Sequence, residues 1–273
     1  MFTAMSPSSF ARRPGRRTVA LIAIASMASA PSAAQTRPGM IQGSIQGLLA
    51  RDQAVFGIFS GEHSAAQGAV MARNRATDFV FYSLESGPFD LPTMQAYLAG
   101  MAEGAGRAGA HPLALRIPPI ADAADSARSR VRRGLAAGAV SIVFPHVTAA
   151  RDAALAVDAM GPDLWPGNPS GRLTAMLIVE DREGVANARE IASTPGISVL
   201  FAGPGDLRRA YERDMTAVEN AIQTVLAACK DFNVPCGITA GVEDIAERLT
   251  QGFRVIIVTQ PEALLVGKRA AGR

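Results

Sequence analysis

Short runs rich in Val, Ile, Leu and Phe alternate with longer, Ala-rich amphipathic segments from Ala54 to the C-terminus. A strand buried on both faces has no polar side, so it reads as a continuous apolar run, whereas the helix that links two such strands shows one apolar stripe. The runs fall at Ala54–Phe59, Asp78–Leu84, Pro112–Ile117, Val140–Phe144, Thr174–Val179, Val199–Phe201, Cys236–Ile238 and Val255–Val258, eight in all. Helical segments are expected at Leu91–Arg107, Ala121–Ala137, Thr148–Met160, Arg182–Ser193, Met215–Asp231, Val242–Thr250 and Pro261–Ala271. Glu62–Thr77 reads as a loop or broken helix, and Gly161–Arg172, punctuated by Pro162, Pro166, Gly167, Pro169 and Gly171, as a turn-rich loop. Such an alternation can close into a barrel or stay open as a doubly wound sheet. Eight strands in this length favour closure, and the first strand-to-helix turn lacks the spaced glycines of a dinucleotide-binding fold. The expected architecture is α/β, a single-domain (β/α)8 TIM barrel over residues 54–273. A linker and short leading helix, with apolar positions at helical spacing from Met40 to Arg51, precede it within residues 35–53.

The first 34 residues read differently. Arg12, Arg13, Arg16 and Arg17 precede the apolar run Val19–Met27 and then Ser32, Ala33 and Ala34, the basic, apolar and small-residue order of a secretory signal cleaved after Ala34. The apolar run is too short for a membrane span, which needs about 20 residues. Arg16-Arg17-Thr18-Val19 also fits a twin-arginine signal, and both export routes stay open, with a bacterial periplasm as the expected destination. Losing four arginines and no carboxylate takes the formal charge from +3 to −1, so the basic pI gives no argument for nucleic acid. No Lys/Arg cluster or aromatic ladder elsewhere supplies one. Cys229 and Cys236 could pair in an oxidising compartment, but the preferred reading is two buried thiols.

In such a barrel the chemistry sits at the C-terminal strand ends. Those ends supply Ser60, Glu85, Ser86, Arg116, His146, Glu180, the turn Gly203-Pro204-Gly205-Asp206, Thr239 and Thr259. Glu180 and Asp206 follow consecutive strands with no lysine beside either. Facing one mouth they repel unless a cation lies between them or one stays protonated. A hard divalent ion such as Mg²⁺ takes one or two carboxylates and completes its shell with water and substrate oxygens. Exposed N–H groups of the glycine-bearing turn could bind a substrate carboxylate, and Arg116 could face a developing enolate oxygen. Each residue also has a structural reading: Glu180 as a helix cap, Asp206 as a turn residue, Arg116 in an ion pair.

The runs Leu177-Ile178-Val179-Glu180-Asp181-Arg182-Glu183-Gly184 and Val199-Leu200-Phe201-Ala202-Gly203-Pro204-Gly205-Asp206-Leu207 resemble the metal-binding segments of the HpcH/HpaI aldolase/citrate lyase family. The resemblance extends to Asp78-Phe79-Val80-Phe81-Tyr82, Gly87-Pro88-Phe89-Asp90, Arg116-Ile117-Pro118-Pro119 and Phe144-Pro145-His146. It implies a β/α barrel that makes or cleaves carbon–carbon bonds next to pyruvate or a related 2-oxo acid. It further implies Mg²⁺, Mn²⁺ or Co²⁺ on Glu180 and Asp206, the substrate carboxylate on the backbone of Gly203, Pro204 and Gly205, and Arg116 as enolate stabiliser. Relatives are trimers and hexamers in which a C-terminal helix packs on a neighbour; here Ala263–Val266 suits that or closure of its own barrel.

The proton-transfer positions depart from the pattern. Where the family reads Asp-x-Glu-His, this chain has Ser83-Leu84-Glu85-Ser86, and where it reads Leu-Leu-Asp-x-Gly, it has Gly134-Leu135-Ala136-Ala137-Gly138. A glutamine common two residues before the metal glutamate is Ile178. His146 and Glu85 are the candidate replacements, each with a structural alternative; Tyr82 and Ser86 are weaker, and His63 and His111 read as loop and strand-edge residues. Trp165 reads as a lid over the mouth or a residue between subunits. The expected function is a divalent-metal-dependent, aldolase-type carbon–carbon lyase on a 2-oxo acid. The alternatives are a divergent lyase or isomerase using the same metal-enolate centre, and a non-catalytic envelope protein that binds small carboxylates.

Overall fold

The eight apolar runs are strands: β1 (Val55–Phe59), β2 (Phe79–Ser83), β3 (Leu113–Arg116), β4 (Ser141–Phe144), β5 (Thr174–Val179), β6 (Val199–Ala202), β7 (Cys236–Thr239) and β8 (Val255–Val258). The structure, a computed structural model, describes residues 44–120 and 124–273. The expected signal segment and the first residues of the expected leading helix lie outside the described residues. All eight strands are parallel and close in chain order, with β8 returning to β1 through pairs such as Val55 with Val255. The barrel expected from the sequence is the barrel observed.

Alternation along each strand divides the apolar side chains between two cores. Phe79 and Phe81, Met176 and Ile178, Val199 and Phe201, and Val255 and Ile257 meet inside the barrel, while Val80, Tyr82, Leu177, Val179, Leu200 and Ile256 face the helices. Space inside is limited, so two strands use glycine. A Cβ on Gly57 would collide with the Phe79 ring, and one on Gly237 with the Phe201 ring.

Helix α1 (Ile45–Leu49) contributes Ile45, Leu48 and Leu49 to the inner core, and Gln46 donates to the Arg172 carbonyl at 3.0 Å. Trp165 joins the same cluster and is 6% exposed. It lies in the connection from α5 (Ala150–Met160) to β5, at the N-terminal end of the strands. The indole therefore plugs the floor of the barrel, correcting its expected placement over the mouth or between subunits.

Two further expectations are corrected. Residues within Glu62–Thr77 form a helix, α2 (Ala65–Arg73), capped by the Ser64 hydroxyl accepting from the Gln67 N–H at 3.2 Å. Its weak apolar stripe hides it in the sequence, because it docks on α3 (Leu91–Ala105) through backbone. A Cβ on Gly68 would strike the Tyr97 carbonyl, and one on Gly100 the Ala65 carbonyl. Cys229 and Cys236 form a disulfide rather than two thiols, joining α9 (Met215–Asp231) to β7. Their Cα atoms are 5.6 Å apart, within the range a disulfide needs. The remaining helices are α4 (Ala124–Ala136), α6 (Arg182–Ala186), α7 (Ala188–Ala192), α8 (Pro204–Ala210), α10 (Ile245–Gln251) and α11 (Pro261–Ala270). Among the described residues no helix is long and apolar enough to cross a membrane.

Candidate active site

The two-residue period that fills the barrel also aims the chemistry. Thr174, Met176, Ile178 and Glu180 share one face of β5, so continuing the inward row by one step brings a carboxylate into the lumen just past the strand. Ala114 and Arg116 do the same on β3, and Phe81 and Ser83 on β2. Inward charge appears only where the apolar layers end.

Glu180 is 3% exposed and accepts the His146 N–H through Oε1 at 3.0 Å. Burial pushes its carboxyl up to about 7; the His146 amide opposes this, Glu85 adds to it, and Arg116 opposes it again. His146 takes a positive φ of 50°, a conformation uncommon outside glycine and more accessible to His, Asn and Asp. The turn directs both the amide and the ring at neighbouring carboxylates. His146 Nδ1 is 3.7 Å from Glu180 Oε1, and Nε2 is 3.8 Å from Glu85 Oε1. Glu85 Oε1 is buried without a hydrogen-bond partner.

Arg116 is fixed from two sides. Its Nε donates to Ser83 Oγ at 2.9 Å and a terminal nitrogen pairs with Glu85 Oε2 at 2.9 Å. The guanidinium also lies over the Phe81 ring, 5.2 Å from its centroid. Ser83 and Glu85 thus act as its tether, a role that sequence reasoning left unassigned because it depends on adjacency of β2 and β3.

The turn after β6 is the start of helix α8. Gly203 gives its own N–H to the Val179 carbonyl at 3.0 Å, so that amide is not free for a substrate, which corrects its expected role. Its function is spatial: a Cβ there would stand 2.8 Å from Glu180 Oε2 and 2.7 Å from Glu180 Cβ. Pro204 has no N–H, and the Gly205 and Asp206 amides are the unpaired donors of the first helical turn. Around Gly205 there is open space. Asp206 pairs with the exposed Arg209 one turn along the same helix.

Glu180, Arg116, Gly203, Pro204, Gly205 and Asp206 line one cavity of about 440 Å³ at the C-terminal mouth. Thr239 and Thr259 also reach it, as their strand-end positions predict. Phe59 and Phe81 form part of its apolar floor, and Asp244 and Arg208, which no sequence motif singles out, stand at its side. One atom each from Glu85, His146 and Glu180 lie within 4.8 Å of one another, a set able to hold a cation; Asp206 is outside that set. His146 and Glu85 adjoin Glu180 but are not among the residues that line the mouth cavity; nor are His63, which stacks on Tyr82 with ring centroids 3.9 Å apart, and His111, which is buried.

Residues 59–258 match the description HpcH/HpaI aldolase/citrate lyase. The chain belongs to the HpcH/HpaI aldolase/citrate lyase family. Among its relatives, it is 27% identical over 175 residues to a 2-dehydro-3,6-dideoxy-6-sulfogluconate aldolase of Pseudomonas putida, covering 55% of this chain and 69% of the relative. A shorter segment of 80 residues is 38% identical to a 5-keto-4-deoxy-D-glucarate aldolase of Citrobacter koseri, spanning 28% of this chain and only 31% of that enzyme. The fold superposes with a TM-score of 0.66 on a crystal structure of an HpcH/HpaI aldolase/citrate lyase family protein from Burkholderia cenocepacia. That protein is 25% identical, and the match covers 81% of this chain and 93% of the other. Membership in the HpcH/HpaI family accounts for the barrel.

Proposed function

We propose that this protein is a divalent-metal-dependent carbon–carbon lyase of the aldolase type, acting on a 2-oxo acid. The observation that carries the reading is the convergence of Glu180, Asp206 and Arg116 on one cavity beside the open amides of Gly205 and Asp206. The donor set suits a hard divalent cation: two carboxylates, one of them buried and raised in pKa by that burial. Asp206 turns to such an ion by releasing Arg209, whose side chain is 78% exposed, and surface pairs of this kind cost little to open.

Glu180 and Asp206 would hold a divalent ion, which would supply Lewis-acid polarisation of a bound 2-oxo acid and so acidify its C3 protons. The chain's own residues do the rest. The Gly205 and Asp206 amides receive the substrate carboxylate. Arg116, immobilised by Ser83 and Glu85, presents its positive charge to the oxygen that becomes negative as the enolate forms; being fixed beforehand, it need not reorganise during the reaction. His146 takes and returns the proton, with Glu85 orienting the ring from its far nitrogen. His146, from the end of β4, thereby takes over the role vacated at Ser86 and Ala136, with Glu85 beside it from the end of β2.

The test is retro-aldol or aldol turnover with pyruvate and simple aldehydes in the presence of Mg²⁺, Mn²⁺ or Co²⁺. Turnover is expected in the wild type and lost in Glu180→Gln. Absence of turnover with every ion, with metal shown to be bound, overturns the lyase reading.

A second reading of the metal is favoured by the convergence of Glu85, His146 and Glu180. It makes His146 a ligand instead of the base, and imidazole shifts preference from Mg²⁺ toward ions such as Co²⁺ and Zn²⁺. His146→Asn separates the two, because asparagine accepts the positive φ and keeps the amide to Glu180. If His146 is the base, the variant retains metal and KM but loses about two orders of magnitude or more in kcat. If it is a ligand, metal affinity itself falls.

A further inference from the structure

Helix α8 carries Asp206, and both of its ends are held by the short stretch of chain that carries Glu180. At the start, the Val179 carbonyl accepts the Gly203 N–H at 3.0 Å. At the far end, Arg182 donates through Nε to the Ala210 carbonyl at 2.7 Å. Its guanidinium lies over the Tyr211 ring, 4.9 Å from the centroid, and a terminal nitrogen stands 3.8 Å from Glu212 Oε1. Residues 179 to 182 therefore span a helix of seven residues, roughly 10 Å long, and the two proposed metal carboxylates sit on the two sides of that span.

The last carbonyls of a helix have no partner within it. In α8 the Leu207 carbonyl accepts the Tyr211 N–H, Arg208 the Arg213 N–H and Arg209 the Glu212 N–H. The Ala210 carbonyl receives the Arg182 side chain instead. A cation placed there also faces the negative end of the helix dipole. Among the described residues this is the only hydrogen bond from the end of α8 to another element. Arg182 is itself anchored. It opens α6, whose N-cap Asp181 accepts the Gly184 N–H at 2.7 Å. On its other side α6 meets the loop after β4: a Cβ on Gly184 would stand 2.8 Å from the Val147 carbonyl, and Asn187 donates to the Thr148 carbonyl at 2.9 Å. The same short helix thus reaches the loop that bears His146 and the helix that bears Asp206.

We propose that Arg182 is a positioning residue: by holding the end of α8 it sets the angle at which Asp206 faces Glu180, and with it the affinity for the divalent ion. The proposal rests on the metal-dependent reading above. Its sign separates it from a charge effect. Removing a positive charge near the site would by itself strengthen cation binding, whereas losing a contact that orients a ligand weakens it.

Mn²⁺ titrations of the full chain by calorimetry, without substrate, test this in the wild type, Arg182→Met and Arg182→Lys. Methionine keeps an apolar stem over Tyr211 and removes the donor; lysine retains a donor and the charge. Arg182→Met is expected to bind Mn²⁺ about tenfold more weakly, the usual scale for a residue that orients a ligand, and Arg182→Lys to recover most of that loss. Because the side chain is 60% exposed, melting in a chelator should move by no more than about 3 °C. Unchanged or tighter Mn²⁺ binding in Arg182→Met overturns the positioning role, as does a lysine variant as weak as the methionine one. A weakening matched by a large fall in the chelator melting temperature overturns it too, since that marks a general loss of structure. If the wild type itself binds no Mn²⁺, the metal reading falls and the positioning role with it.

Discussion

Glu180 combines deep burial with a charge that the proposed chemistry requires, and the two are in conflict in the metal-free protein. Its carboxyl is held near 7 by burial, against an ordinary value of 4.5. Between those values the folded chain keeps a proton that the unfolded chain has released, so stability falls as pH rises. The contribution is fully present below about 4.5 and is gone above about 7, roughly 3 kcal/mol across the window. Melting curves recorded in a chelator from pH 5 to 8 should show this decline, and Glu180→Gln should flatten it, making the inactive variant the more stable one at pH 8. Adding Mn²⁺ should restore stability to the wild type alone. If the variant declines in parallel with the wild type, Glu180 is not the titrating group. At this scale the sequence placed Glu180, Asp206 and Arg116 at the mouth, because position at a strand end follows from periodicity. It could not show that Ser83 and Glu85 tether Arg116, that Gly203 spends its amide on Val179, or that Arg209 holds Asp206. Those facts depend on neighbours far apart in the chain, or on rotamers.

Among the elements, the strands were legible and the helix termini less so. A fully buried strand leaves an unmistakable apolar run, whereas α2 packs by glycine against α3 and shows little apolar stripe to read. That docking predicts a sharp response to small changes. Gly100→Ala puts a methyl group into the Ala65 backbone, and because backbone cannot step aside like a flexible side chain, the helices must separate. A loss of about 2–3 kcal/mol is expected, although alanine is the better helix former by about 1 kcal/mol; an unchanged or raised melting temperature would show that α2 and α3 do not approach this closely. The disulfide between α9 and β7 gives a second case. It closes a loop with a sequence separation of only 7, and chain-entropy arguments assign such a loop about 2 kcal/mol. Cys229→Ala with Cys236→Ala should therefore melt several degrees lower, and a reductant should lower the wild type toward the variant without moving the variant. Two thiols were preferred on sequence grounds because spacing alone cannot show that a helix end and the next strand bring their Cα atoms within bridging distance.

Closure of the whole barrel depends on how its two ends of chain are fastened. The sequence left α11 able to pack on a neighbour or on its own barrel; it packs on its own, with Ala263 and Leu264 buried and Gly267 set against the Phe56 ring where a Cβ would not fit. Asp78, at the entrance to β2, fastens it there. One carboxylate oxygen accepts the Phe56 N–H at 2.9 Å, while Lys268 and Arg273 approach the group at 2.7 Å each. The carboxylate is 9% exposed, so its attraction for the two cations is less screened than that of a surface pair. β1, β2 and the C-terminal helix thus share one charge, close to the β1–β8 seam where the sheet meets itself. Asp78→Ala leaves the Phe56 amide without its partner and two cations facing each other, and should cost about 3 kcal/mol. Lys268→Ala removes one cation only and should cost less, since Arg273 still neutralises the carboxylate. Because both changes act on one cluster, the double variant should fall short of the sum of the single losses by about 1 kcal/mol or more. Urea unfolding of the four proteins measures this directly. Strict additivity would mean that Lys268 does not share the charge of Asp78, leaving Arg273 alone to tie the C-terminal residues to it.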